Sequence, residues 1–271
     1  MHIAVVSPSL LEKHVKSSPL LERAVQVLEE DEEVQELLRL ANVFAVHRLK
    51  YNDHGPTHAR IAAGAALELL DLLIDANIMP SCIRDGTCTD LDEARLIVLL
   101  AAYLHDIGNA VHRDKHEYTG ALLAKDILDR LLPRILPERG PKYRKLHYSI
   151  RQEVMHAIYC TEPDIMCLTI EGGVVKVADG LDMAEGRARV PYKLGKVDIH
   201  AVSALSIKRV EISRGHERPI RITVHMEEWA GIFQVEKVLL PKILKSGIDS
   251  YIELVAISRG KEVLTFPEKT Y

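Results

Sequence analysis

The stretch that most limits what this chain can fold into is residues 96–116, LIVLLAAYLHDIGNAVHRDKH. From Leu96 to Leu104 nearly every side chain is apolar and no polar stripe interrupts the run, so the pattern predicts a helix buried on almost all sides. On such a helix Ile97, Ala101 and His105 share one i, i+4 row, Asp106 follows beside them, and Gly108 is placed to end the helix just beyond. The run therefore carries an imidazole and a carboxylate into a dry interior, a costly burial unless a partner satisfies both. Two partners would do so: a divalent cation, which suits a neutral imidazole together with a carboxylate, or a mutual His–Asp hydrogen bond that only ties the core together.

Other helices supply more inward polar groups. Pro19 opens two amphipathic helices, with Leu20, Leu21, Val25 and Leu28 on one stripe and Val34, Leu37, Leu38 and Ala41 on the next; the EEDEE run between them reads as a solvated face or loop. After Gly55-Pro56 a helix is expected to about Asn77, with His58, Ala62, Ala65 and Leu69 on its inner row. His58 then points inward at a helix N-terminus, and His54 just before it reads as a hydrogen bonder at the start of that helix. Asp90 is the candidate cap of the buried helix. His116 begins a further inward-facing helix, and one over about 142–160 carries His147 and His156. The stretch VVKVADGLDMAEGR ends an apolar run by presenting Asp179, with Asp182, Glu185 and Arg187 behind it.

From about residue 197 the texture changes. SALSIKRVEIS and RPIRITVHME read as strands, WAGIFQVEKVLLPKILKSG as an amphipathic helix ending at Gly247, and DSYIELVAIS and KEVLTF as two more strands. The order ββαββ predicts a small α+β domain with an antiparallel or mixed sheet and its helix on one face. Residues 1–18 read as a loose or short extended start. The expected organisation is an N-terminal helical extension over 1–40, a helical domain over 41–195 and the α+β domain over 196–271.

A net charge of −4 gives no global reason to expect nucleic acid or acidic lipid as a partner. Cys82, Cys88, Cys160 and Cys167 form no CxxC pair in a chain large enough to build its own core, so four reduced thiols are expected. With no apolar leader and no uncharged stretch of about 18 residues, the expectation is a soluble, cytoplasmic protein without membrane contact.

Collected in order, the inward groups are His58, His105 with Asp106, His116, His156 and Asp179. Imidazoles and carboxylates without cysteine suit Mn, Fe, Co, Ni or Mg, and Zn less decisively. His58, His105, Asp106 and Asp179 would fill one side of an octahedral ion. Asp106 would bridge to a second if His116 and His156 supply that site. A divalent ion activates water for attack at phosphorus, and two would clamp the phosphoryl oxygens.

The ordered set H…HD…D, with HDIG at 105–108, NDHGPTH at 52–58 and KVADGLDMAEGR at 176–187, resembles the HD-domain superfamily of metal-dependent phosphohydrolases over roughly residues 40–190. The resemblance implies an all-helical core in which His58, His105, Asp106 and Asp179 bind metal. It also implies hydrolysis of a phosphomonoester or phosphodiester, often of a nucleotide. Relatives with a dinuclear site have two further histidines after the HD pair. His116, in HEYTGA, matches the first. In AIYCT, Cys160 stands where the second is expected, and His156, one turn earlier on the same face, is the candidate substitute. Asn109 stands where many HDIG relatives carry lysine, which leaves Arg113, Lys115 and Arg187 as phosphate contacts.

The full expectation is a mostly α protein, an all-helical HD core followed by a small C-terminal ββαββ domain serving as a dimerisation, lid or regulatory unit. One or two divalent ions sit on His58, His105, Asp106, Asp179, His116 and His156, and Asp106, His116, Arg113 and Arg187 act on a small-molecule phosphate ester or nucleotide. A homodimer is compatible with this reading; nucleic acid is not expected. Two alternatives stay open: a di-iron oxygenase, which needs four histidines and so needs His156, and a non-catalytic metal- or nucleotide-binding module.

Overall fold

The computed structural model describes residues 3–136, 141–184 and 203–267, so Arg187 and the boundary expected near residue 195 lie outside the described residues. The helices are α1 (Ser9–Val15), α2 (Pro19–Glu30), α3 (Glu32–Asn42), α4 (Pro56–Asp75), the single turn α5 (Ser81–Arg84), α6 (Leu91–Leu104), α7 (His116–Ile135), α8 (Pro141–Tyr159) and α9 (Ile170–Leu181). They form the expected helical core.

Helix α6 is its centre. Every side chain from Leu96 to Leu104 is buried, and α2, α4, α8 and α9 all pack on it. Asp90 caps it by accepting the Glu93 N–H at 2.9 Å. The acidic run between α2 and α3 is neither loop nor continuous helix. Asp31 alone breaks it, accepting the Val34 N–H at 3.0 Å and pairing with Arg130 on α7.

The buried helix stops earlier than expected. Its last residue is Leu104, and Ile107–Ala110 forms a separate 3-10 turn. Gly108 lies inside that turn and is not in the left-handed conformation of a terminating glycine. It is needed for space: a Cβ there would overlap the His116 carbonyl oxygen and come within 2.5 Å of the Gly120 nitrogen. The turn is pressed against the first turns of α7, and only glycine allows that approach.

The C-terminal sheet has the order β1-β2-β3-β4-β5, with β1 (Ile3–Val5), β2 (Ile207–Arg214), β3 (Ile220–Met226), β4 (Ile252–Ser258) and β5 (Lys261–Phe266). Neighbours are antiparallel except β3 and β4, which run parallel with Ile220 opposite Ile252. A parallel pair needs a crossover, here the helical segment 229–244 (α10). The expected ββαββ order is present, with one addition: β1 pairs antiparallel with β2, Ile3 opposite Ser213.

Helix α10 lies against α9, with Val235, Leu239 and Ile243 buried along one row. Two glycines of α9 make room. A Cβ on Gly173 would come 2.5 Å from the Ser246 carbonyl oxygen, and one on Gly180 would meet Lys242 and Leu239 at 3.1 and 3.2 Å.

The cysteine expectation needs correcting. Cys82 and Cys88 form a disulfide, while Cys160 and Cys167 are free and buried. The 82–88 loop closes through Gly86 at φ +73°, and Thr87 and Cys88 both donate N–H bonds to the Cys82 carbonyl, bringing the two Cα atoms to 5.2 Å. Nothing in the five-residue spacing signals that closure. Among the described residues no helix is long and apolar enough to cross a membrane.

Candidate metal centre

Three helices deliver the central side chains. His58 stands in the first turn of α4, His105 and Asp106 follow α6 directly, and Asp179 lies in the last turn of α9. Their ligand atoms converge. His58 Nε2 lies 3.2 Å from His105 Nε2, 3.3 Å from Asp106 Oδ2 and 3.4 Å from Asp179 Oδ1. His105 Nε2 is 3.5 Å from each of the same two oxygens. His58, His105 and Asp106 are buried; Asp179 faces a cavity.

The outer nitrogens explain the orientation. His58 Nδ1 is 2.7 Å from Asp182 Oδ2, and His105 Nδ1 is 2.8 Å from the Ala102 carbonyl. With an acceptor at each Nδ1, the favoured tautomer carries its proton there and turns the Nε2 lone pair inward. Two lone pairs and two carboxylate oxygens then face one small space. Asp106 Oδ2 is buried with no hydrogen-bond partner among the described residues, and such a buried orphan is costly. A divalent cation answers both problems, and the imidazole–carboxylate donor set fits one. His58, His105 and Asp106 each offer a ligand atom within 4.8 Å of the others.

The electrostatics run the same way. Burial pushes the Asp106 carboxyl up, but the imidazoles of His105, His54, His116 and His58 outweigh it and hold it well below the usual carboxylate range. Burial also opposes ionisation of Asp179, where Lys242, His105 and His58 prevail and bring it well below that range.

A second tier surrounds Asp106. Its Oδ1 is 3.5 Å from His116 Nε2 and accepts from Asn109 Nδ2 at 2.9 Å. Arg113 Nη1 donates to Asn109 Oδ1 at 3.1 Å and lies 3.1 Å from His116 Nε2. His116 Nδ1 sits 3.0 Å from both the Arg113 carbonyl and Glu117 Oε2. Burial lowers the His116 pKa, the Asp106 and Glu117 carboxylates more than reverse it, and the result is about 9. Asn109, in the position where lysine was the pattern, thus ties Arg113 to the central carboxylate. Lys115 is exposed.

The structure does not bring His156 to this centre. Its Nε2 lies 3.3 Å from Cys160 Sγ one turn along α8, and that sulfur packs against Gly172 near the start of α9. Asp179 is seven residues further on, roughly 10 Å along the helix axis.

A cavity of about 230 Å³ opens above the centre. His54, Asp106, Arg113, His116, Glu117 and Asp179 line it from the helical core, and Lys237, Val238, Pro241 and Lys242 line it from α10. A second cavity of about 190 Å³ shares Arg113, Asp179 and Lys242 and adds Tyr51, Asn52 and Gln234. Lys242 Nζ is 2.5 Å from Asp179 Oδ2.

Asp182, Glu117 and Lys242 were not among the expected site residues. Asp182 carried a usable signal, standing three residues after Asp179. Lys242 carried none.

Residues 57–184 match the family model for the HD domain. The uncharacterized protein MJ1020 of Methanocaldococcus jannaschii is 46% identical over 226 residues, which cover 83% of this chain and 85% of that protein. No solved structure matches the chain.

Proposed function

This chain belongs to the HD-domain superfamily of metal-dependent phosphohydrolases, and from that membership we propose that it hydrolyses a phosphomonoester or phosphodiester, with a nucleotide as the favoured substrate. The single observation that supports this most is the convergence of His58, His105, Asp106 and Asp179 on one space, with Asp106 Oδ2 unsatisfied beside it.

His58, His105, Asp106 and Asp179 would hold a divalent cation, which when bound would supply Lewis acidity toward the phosphate and toward an attacking water. The chain's own groups do the rest. Asp182 and the Ala102 carbonyl fix the two imidazoles through Nδ1. Arg113, tethered by Asn109, offers its guanidinium to the phosphate charge. His116, beside Asp106 on the cavity wall, orients the phosphate. Arg187 is proposed for the same neutralising role as Arg113. The oxygenase alternative required His156 as its fourth imidazole, and that ring is engaged with Cys160, so hydrolysis is the better supported reading.

The test is elemental analysis of protein purified without chelator, alongside phosphate release from a panel of mono- and diesters after reloading with Mn, Co, Ni, Fe or Mg. About one ion per chain in wild type, lost in Asp106→Ala with folding retained, is the expected result. Full metal content in Asp106→Ala would sink the assignment. Dioxygen consumption by iron-loaded protein in place of phosphate release would move it to the oxygenase class.

A further inference from the structure

Two cations on the cavity wall make no close ion pair among the described residues. Arg113, half-buried, donates to Asn109 Oδ1, lies 3.1 Å from His116 Nε2 and over the Tyr51 ring, and makes no close ion pair among the described residues. Lys237, on the exposed side of α10, lines the same cavity and also makes no ion pair among the described residues. It borders a concave space floored by Asp106 and Asp179 of the candidate metal centre. A third cation is already committed. Lys242 Nζ binds Asp179 Oδ2 at 2.5 Å and the Thr161 carbonyl at 3.4 Å, and its side chain is only 12% exposed. Asp179 therefore presents Oδ2 to the lysine and Oδ1 to the imidazoles of His58 and His105.

The approach of α10 is built in. Gly173 and Gly180 stand two turns apart on α9; a side chain at Gly173 would run into the Ser246 backbone carbonyl, and one at Gly180 would crowd the Lys242 and Leu239 side chains. The lysines are thus held where they are by the packing of the helix that carries Asp179.

We propose that the C-terminal α+β module is part of the active site. Lys242 is a positioning residue for the metal ligand Asp179, and Lys237 with Arg113 binds the substrate phosphate beside the metal. Two unpaired cations next to a divalent ion favour a dianion, so the ligand class is a phosphomonoester rather than a diester, which carries a single charge. This rests on the metal-centred reading above, from which it follows that the phosphate lies against the cavity floor.

The experiment uses the full chain, loaded with Mn, and inorganic phosphate as the probe. Metal content and phosphate affinity are measured together by elemental analysis and calorimetry, on wild type, Lys237→Ala, Lys237→Arg, Lys242→Met and Lys242→Arg. In Lys237→Ala, phosphate should bind about tenfold more weakly with Mn content unchanged, and Lys237→Arg should restore it. In Lys242→Met, Mn should bind about tenfold more weakly, with Lys242→Arg recovering part of the loss, as expected for a group that acts through a metal ligand. Dimethyl phosphate should bind wild type at least about tenfold less well than inorganic phosphate. Equal phosphate affinity in wild type and Lys237→Ala, both holding Mn, overturns the inference and leaves the metal reading intact. Wild type without Mn overturns the metal reading instead, and phosphate binding that still falls in Lys237→Ala supports the lysine's role independently.

Discussion

The imidazole of His58 is buried and could in principle rotate to present either nitrogen, yet one carboxylate decides the matter. Asp182 Oδ2 at 2.7 Å from Nδ1 holds the ring, so that Nε2 meets His105, Asp106 and Asp179. Removing that acceptor in Asp182→Ala should leave the fold intact and weaken Mn binding by about 10- to 100-fold, read by metal titration of the apo protein. Affinity equal to wild type would mean that packing alone orients His58. The same residue shows what a sequence can disclose. His58, His105, Asp106 and Asp179 stand out because each places a polar group at the inner face of an apolar helix, where it needs a reason to be. Asp182 was readable only as a carboxylate behind Asp179, since its partner His58 lies on α4, far away in the chain. Lys242 was not readable at all, because no pattern along α10 says which of its lysines meets another helix's carboxylate. His156 misled for the opposite reason: correct spacing on α8 does not say which part of α9 that face will touch.

Helix α6 was legible because nine consecutive buried residues leave no alternative to a central position. Its end was not, since a glycine that terminates a helix and a glycine that admits a neighbouring backbone look identical in sequence. The distinction can be tested. Gly108→Ala asks a methyl group to occupy the space of the His116 carbonyl, so the turn or α7 must shift. The expected cost is about 3 kcal/mol in urea unfolding, together with loss of metal, because His105 and Asp106 precede the turn and His116 follows it. Had Gly108 been a terminator with open space around it, alanine would cost about 1 kcal/mol and leave metal content unchanged. The extended start expected for the chain is strand β1, but its place in the sheet was not legible for a third reason. Three residues are too few to display a period, and its partner belongs to the other end of the chain.

At the scale of the whole molecule, a buried charge network fastens α1 to α4. Glu68 Oε2 accepts from Lys13 at 2.9 Å and meets His14 Nε2 at 3.0 Å, while His14 Nδ1 lies 3.2 Å from Asp71. Burial pushes Glu68 up, but His14 and Lys13 bring it down to about 2 from 4.5. Burial likewise opposes the charge on His14, and Asp71 and Glu68 raise it above 6.5. The depressed Glu68 stabilises the fold fully above about pH 4.5, and that contribution is lost as pH falls toward 2. The raised His14 contributes fully below about pH 6.5 and less as pH climbs through its folded value. Both contribute in full between about pH 4.5 and 6.5. Unfolding free energies from urea titrations across pH should fall on the acid side, by at most on the order of 3 kcal/mol from Glu68. Glu68→Gln should flatten that limb; an unchanged limb would place the acid sensitivity elsewhere. The pairing of Ile3 with Ser213 bears on how the chain reaches this state. Contacts between distant residues form slowly, and synthesis runs from the N-terminus at a limited pace. Strand β1 must therefore wait, unpaired, until its partner β2, about two hundred residues further on, has been made. During that interval the helical core can assemble without it, and β1 adds to the sheet only once the strands on the far side of that core exist.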